Sequence, residues 1–227
     1  MKNIPKNRWT KEMAMKTKDV TGERSFVVFK TAFGEMSILW GMLRKRVTVY
    51  RIFLPRQGAI MEELVREMAP GVSMESCTRI EKCTEIIQRS LSGEEICFDL
   101  DLLHFEQCSL FQRRVLLAEA QIPRGWVGTY GGISEYLGVP GGSRAVGSAL
   151  ARNPFPICIP CHRAVRSDGS IGGYQGGRAM KSALLTMEGV SVTAQGKIEC
   201  LKDHVHHYPA VTEPDNRGFF SPKWPMH

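Results

Sequence analysis

The chain has 227 residues, of which 43% are hydrophobic and 23% charged, an ordinary globular composition with enough material for one large domain or two small ones. Its formal net charge of +7 and pI near 9.1 favour an anionic partner. The first 24 residues lack an apolar signal core and no run reaches the roughly 18 apolar residues of a membrane span, so a cytosolic protein with no membrane partner is expected.

The elements fall in a clear order. Residues 1–24 read as a basic, polar extension. Three β-rich runs follow, SFVVFKTAF, GEMSILWGM and RVTVYRIFL, with a turn between Gly41 and Arg46. Helical periodicity covers Ala59–Met68 and Thr78–Leu91, split by PGVS. EEICFDL reads as a short strand or an extended linker. A helix starts at Cys108 or Ser109, carries Phe111, Val115, Leu116 and Ala118–Ala120 on its apolar face, and stops at Pro123 and Gly125.

The stretch GTYGGISEYLGVPGGSRAVGSALARNP then predicts helix, tight turn, helix, the layout of a helix-turn-helix. Thr129 caps its first helix and Ser143 its second. In the second helix Ala145, Val146, Ala149 and Leu150 form the apolar face. Arg144, Ser148 and Arg152 share another stripe, and Ser143, Gly147 and Ser148 are small. Small residues beside arginines permit close approach to a polyanion; a tightly packed helix pair with exposed arginines would look the same. Asp168-Gly169 is a hairpin turn, GGYQGG a glycine-rich loop, and RAMKSALLTMEGV a helix ending at Gly189. The histidines at 204, 206 and 207 read as part of a surface tail.

CIPCHR, residues 158–163, fits three chemistries: a c-type haem attachment, a redox dithiol or half of a zinc site, and a nucleophile beside its own activators. Covalent haem belongs outside the cytosol. Zinc needs about four ligands, and no second C-x-x-C completes the set. A dithiol wants a helix N-terminus, whereas NPFPICIP before it reads as extended and proline-rich. All seven cysteines are expected as thiols, and neither metal nor cofactor is expected.

NPFPICIPCHRAV followed by GGYQGG resembles the 6-O-alkylguanine-DNA alkyltransferases, without an evident gap from about Val127 to Gly189. The resemblance implies an α+β fold. A ribonuclease-H-like α/β domain would occupy 25–100, a winged helix-turn-helix transfer domain 101–202, and a C-terminal tail 203–227. It implies a monomer that docks on the minor groove of double-stranded DNA, flips out a 6-O-alkylguanine and takes the alkyl group irreversibly onto Cys161.

In that scheme His162 is the base for Cys161 through a bridging water, and Glu188 holds the His162 tautomer. Tyr130 donates to guanine N3 and Lys181 eases the transfer. Tyr174 and the backbone N–H of Gln175 face O6. The backbone carbonyls of Cys161 and Ala164 accept from the exocyclic amine, and Leu150 and Pro156 wall the pocket. Arg144 fills the gap in the base stack, with Ser143, Ala145, Gly147, Ser148 and Arg152 around it on the DNA-facing helix, and Asn153 is the hinge. Two departures stand out: Ala164 replaces a branched residue, and Gln175 a small one. A sensor that binds alkylated DNA without transfer is the competing reading, and the Cys161 thiol argues against it.

Overall fold

The computed structural model describes residues 23–209; most of the basic extension expected over 1–24, and residues 210–227 of the expected tail, lie outside the described residues. The three β-rich runs form an antiparallel meander, β1 (Arg24–Thr31), β2 (Gly34–Leu43) and β3 (Arg46–Phe53). The β2–β3 turn is tighter than expected. Arg44 and Lys45, both at positive φ, make it alone, while Gly41 stays in the ladder opposite Arg24. Two successive left-handed residues match the twist of the flanking strands.

Helix α1 (Met61–Met68) begins two residues later than expected. The PGVS break hides a fourth strand, β4 (Ser73–Met74), parallel to β1, which gives the order β3-β2-β1-β4. Two exposed residues carry no periodicity, so this strand left no trace in the pattern. Helix α2 (Thr78–Leu91) buries Ile80, Cys83, Ile87 and Leu91. EEICFDL is not a strand; it is irregular and ends in a single 3-10 turn at Leu100–Leu102.

One sheet face, with Phe26, Leu39, Tyr50 and Phe53, packs on Met61 and Val65 of α1. The other face, with Met36, Ile38, Trp40 and Ile52, joins Ile80 and Ile87 to a core that continues into the second half as far as Phe155 and Cys161. A register slip beside Leu39 and Trp40 sends Tyr50 to the α1 side while Val49 and Ile52 stay on the other.

The second half is made of short pieces. They are α3 (Leu110–Glu119), β5 (Gly128–Thr129), α4 (Tyr130–Tyr136), α5 (Ser143–Ala151), β6 (Ala164–Val165), α6 (Gly177–Met187) and α7 (Leu201–His204). Ser109 caps α3 by accepting from the Gln112 N–H at 3.2 Å, and Thr129 caps α4 by accepting from Gly132 N–H at 2.9 Å. Ser143 does not cap α5; that position is Gly142, with no side-chain cap. A Cβ at 142 would lie 2.9 Å from Ser134 and Val139, so the turn is packed against the preceding helix.

Hydrogen bonds also tie the halves together. The outer edge of β3 reaches the second half, Ile52 N–H donating to the Pro154 carbonyl at 2.8 Å and His104 N–H to the Val49 carbonyl at 2.9 Å. The residues after 203 are not a free surface tail as far as 208. Val127 N–H donates to the His204 carbonyl, His206 N–H donates to the Val127 carbonyl, and Tyr208 stacks on Tyr136 at 4.4 Å while its hydroxyl donates to the Ala118 carbonyl. The chain is a mixed α+β protein, and none of its described helices is long and apolar enough to cross a membrane.

Candidate active site

The segment after α5 brings most of the expected site together. NPFPICIP is not extended; it doubles back, with Ile159 N–H donating to the Phe155 carbonyl at 2.8 Å and Ile157 at φ 75°. A β-branched residue in the left-handed region costs on the order of 1–3 kcal/mol and persists only where its surroundings enforce it. Asn153 enforces it. Fully buried, it donates from Nδ2 to the Ile159 carbonyl at 3.0 Å and to Cys161 Sγ at 3.2 Å, and accepts the Phe155 N–H on Oδ1 at 2.9 Å. Gln175 closes the far side, its Nε2 donating to the Asn153 carbonyl at 2.8 Å. The Gln175 side chain is thus committed to the Asn153 backbone.

Cys161 opens a single 3-10 turn, Cys161–Arg163, and is 5% exposed. Its thiol does not fit the low-pKa expectation for a reactive cysteine. Burial pushes it up to about 12, and the Asn153 hydrogen bond and the Lys181 charge offset only part of that. The sulfur therefore rests as a neutral thiol.

His162, also buried, places Nε2 3.0 Å from Glu188 Oε1. Burial alone would raise Glu188, but the hydrogen bonds from His162 and Arg163 hold it down at about 2. An ionised carboxylate only accepts, so His162 Nε2 carries the proton and Nδ1 presents a lone pair. That Nδ1 is buried with no partner among the described residues. Burial lowers the His162 pKa, and the Glu188 hydrogen bond works against it. The ring is thus a neutral base, oriented from behind.

Arg163 is the residue sequence reasoning quoted without a role. It grips Glu188 with Nε and one terminal nitrogen, both at 2.8 Å, and its other terminal nitrogen donates to the Ile122 carbonyl at 2.6 Å. Its place directly after the Cys-His pair is the only signal that could have pointed to it.

The parallel pair β5–β6 sets Tyr130 beside this turn, Gly128 opposite Ala164 and Thr129 opposite Val165. The Tyr130 ring lies between two glycines. A Cβ on Gly147 would sit 3.9 Å from the ring, and one on Gly172, at φ 68°, 3.2 Å from the hydroxyl. Burial raises Tyr130 to about 12, with the Glu119 and Cys161 charges adding to it. Lys181 is fully buried, donates to the Ala164 carbonyl at 2.6 Å and is lowered to about 8 by desolvation. Tyr174 is half exposed as a residue, yet its hydroxyl is sealed and unpartnered among the described residues. Leu150 and Pro156 are buried next to this region.

The expected DNA-facing residues form a separate surface on α5. Arg144, Ser148 and Arg152 are exposed, Ser143 and Gly147 half-buried, and Arg152 donates to Ser148 Oγ at 3.1 Å. Ala145 belongs with them and not on the apolar face, which is Val146, Ala149 and Leu150. Glu119, buried in the core with no partner for either oxygen among the described residues, was missed altogether. Among the described residues no cluster of three or more His, Cys, Asp or Glu could hold a metal.

Residues 110–190 match the sequence profile described as 6-O-methylguanine DNA methyltransferase, DNA binding domain. The chain is 49% identical over 116 residues to the methylated-DNA–protein-cysteine methyltransferase of Methanothermobacter thermautotrophicus, a match covering 51% of this chain and 65% of that protein. The mycobacterial relative from Mycolicibacterium paratuberculosis bears the same name, at 44% identity over 43% of this chain and 58% of that one. The matches thus span less than two thirds of these relatives. Among solved structures, the O6-methylguanine-DNA methyltransferase of Pyrococcus kodakaraensis superposes with a TM-score of 0.52 at 32% identity, covering 73% of this chain and 99% of that one. Mycobacterium tuberculosis OGT in complex with DNA gives a TM-score of 0.58 at 27% identity, covering 72% and 92%.

Proposed function

We propose, because this chain belongs to the 6-O-methylguanine DNA methyltransferase family, that it reverses alkylation damage by moving the alkyl group of a 6-O-alkylguanine in duplex DNA onto Cys161. The observation that carries this reading is the buried Cys161 thiol beside a neutral His162 whose free nitrogen is fixed by the Glu188–Arg163 pair.

The chemistry follows from those groups. A thiol held near pKa 12 is inert at rest, so the thiolate forms only as the substrate closes the site. His162 Nδ1 takes the thiol proton through a water, and the Glu188 carboxylate stabilises the resulting imidazolium. The sulfur forms a bond to the alkyl carbon as the carbon–O6 bond breaks, and the electron pair goes to guanine. Tyr130 gives its hydroxyl proton to guanine N3, and the buried Lys181 charge stabilises the phenolate left behind. Tyr174 and the Gln175 N–H face O6, the Cys161 and Ala164 carbonyls face the exocyclic amine, and Leu150 and Pro156 wall the pocket. The product is a thioether with no route back, so each molecule reacts once and no cofactor takes part.

O6 is hidden inside a duplex, so the base must be flipped, at a cost of a few kcal/mol. Helices α4 and α5 act as a winged helix-turn-helix in the minor groove. Arg144 fills the vacated stack, and Ser143, Ala145, Gly147, Ser148 and Arg152 line the contact. Asn153 links that helix to the reacting thiol. The sheet of the first half is read as a ribonuclease-H-like domain, and the protein as a monomer.

Intact mass after incubation with a duplex carrying one 6-O-methylguanine tests this. The expected product is about 14 Da heavier, one CH2 for a methyl replacing hydrogen, and absent from Cys161→Ser. An unchanged mass with the duplex still bound would identify a non-transferring sensor.

A further inference from the structure

Glu119 is the last residue of α3 and is completely buried, no side chain pairs with either carboxylate oxygen among the described residues, and the Ala164 backbone N–H is turned toward it. A buried acidic group with no side-chain partner is costly, and a position beside Val115, Leu116 and Ala118 on the same short helix would suit leucine. The helix end makes the placement worse, because the C-terminal end of the helix dipole is negative. Such a residue needs a reason to be there.

The reason lies across Ala164. Lys181 Nζ donates to the Ala164 carbonyl at 2.6 Å, and Glu119 faces the N–H of the same residue. Helix α3 packs directly on the Cys161–Arg163 turn. The charged or titratable groups that Glu119 feels come from every neighbouring element: Lys181 on α6, Arg163 and Cys161 on the turn, Tyr130 on α4, and Tyr208 after α7. Lys181 is the strongest of its charge partners. Lys181 is itself buried, which favours the neutral amine, and among the described residues its hydrogen-bond acceptors are carbonyls rather than a carboxylate.

We propose that Glu119 is a positioning residue of this site, a buried carboxyl that keeps the Lys181 ammonium charged beside Cys161 and Tyr130. Resting on the alkyl-transfer reading, it works by proton order. Burial raises Glu119 to about 8 and lowers Lys181 to about 8, so near neutral pH both hold their protons. As pH rises the pair gives up one proton. The Glu119⁻/Lys181⁺ form then keeps the ammonium in place, whereas without Glu119 that proton leaves Lys181. The Tyr130 phenolate formed in the reaction then meets a charged lysine over a wider pH range.

The test is single-turnover transfer from a 6-O-methylguanine duplex between pH 6.5 and 9.5, with Glu119→Gln, Glu119→Leu and Glu119→Asp. The alkaline limb should move to lower pH in the Gln and Leu variants, leaving them about tenfold slower than the native protein near pH 9 for a one-unit shift. The Asp variant should retain the native limb. A merely structural Glu119 would give the same ratio at every pH, and that outcome overturns the proposal. The Leu variant covers the case in which a buried amide fails to fold. If the native protein transfers nothing, the transfer reading fails, and the Glu119–Lys181 coupling is tested by itself. The 15N titration of the Lys181 ammonium in the free protein then decides, an unchanged midpoint in Glu119→Gln or Glu119→Leu overturning the proposal.

Discussion

The two halves of this protein hold their backbones in different ways. In the first, β1–β3 satisfy one another through continuous ladders, and the side chains between sheet and helices are apolar, with Phe26, Ile38, Ile52 and Ile80 fully or nearly fully enclosed. In the second, the strands are two residues long and the backbone between Asn153 and Val165 is irregular, so buried polar side chains do the holding: Gln112, Asn153, His162 and Lys181. A ladder tolerates the loss of one side chain. A bracket such as Asn153 does not, because one residue serves three partners. The Cys161 thiol sits in the half built by brackets, where each side chain fixes a direction as well as a position.

The sharpest way to break the contrast is at the thiol. Cys161→Ser should abolish alkylation of the protein entirely, by intact mass, while its urea midpoint stays close to native, because the hydroxyl can still accept from Asn153. Next, Asn153→Ala should cost about 3 kcal/mol in urea unfolding, from stranded buried partners. Ser37→Ala in β2 should cost under about 1 kcal/mol, its hydroxyl being buried without a side-chain partner among the described residues. Similar costs for the two would erase the distinction.

Glu188 gives a pH signature of comparable size. Its folded pKa is depressed, so its contribution is complete above the ordinary value of 4.5 and is lost as pH falls towards about 2. A shift of that size is worth about 3 kcal/mol, and the acid limb of the unfolding curve should flatten in Glu188→Gln. On the surface the effects shrink. Arg144→Ala should weaken duplex binding by roughly 1 kcal/mol and lower the salt slope by about one charge, read by titration at several salt concentrations. Arg79→Ala on α2, which breaks an exposed pair with Asp99, should change stability by less than about 0.5 kcal/mol.

The same contrast explains what could be read from the sequence. The first three strands and both helices after them announce themselves by periodicity, and the caps Ser109 and Thr129 by residue type. The bend at Ile157 does not, because residue type alone does not ask an isoleucine to take positive φ; buried hydrogen bonds of Asn153 impose it, and Gln175 braces Asn153 from another part of the chain. For Cys161, His162, Glu188, Tyr130 and Lys181, the expected proximity came from motif resemblance rather than from any pattern of their own. Arg163 and Glu119 escaped because both act through buried electrostatics, which leave no periodic trace. The thiol's high pKa escaped for a related reason: burial outweighs the neighbouring donors, and burial is a property of the whole core.

The pairing of Val127 with Val205 has a consequence in time. At roughly 5–20 residues per second of synthesis, roughly 4–16 s pass between making the first residue of that pair and the second. Until then the backbone beside β5, which sets Tyr130 against Ala164, lacks one of its partners, and Tyr136 lacks the ring that stacks on it. The newborn chain therefore acquires its sheet early and the surroundings of Tyr130 late, and through that interval an unpaired edge is open to chaperones or to other copies of itself.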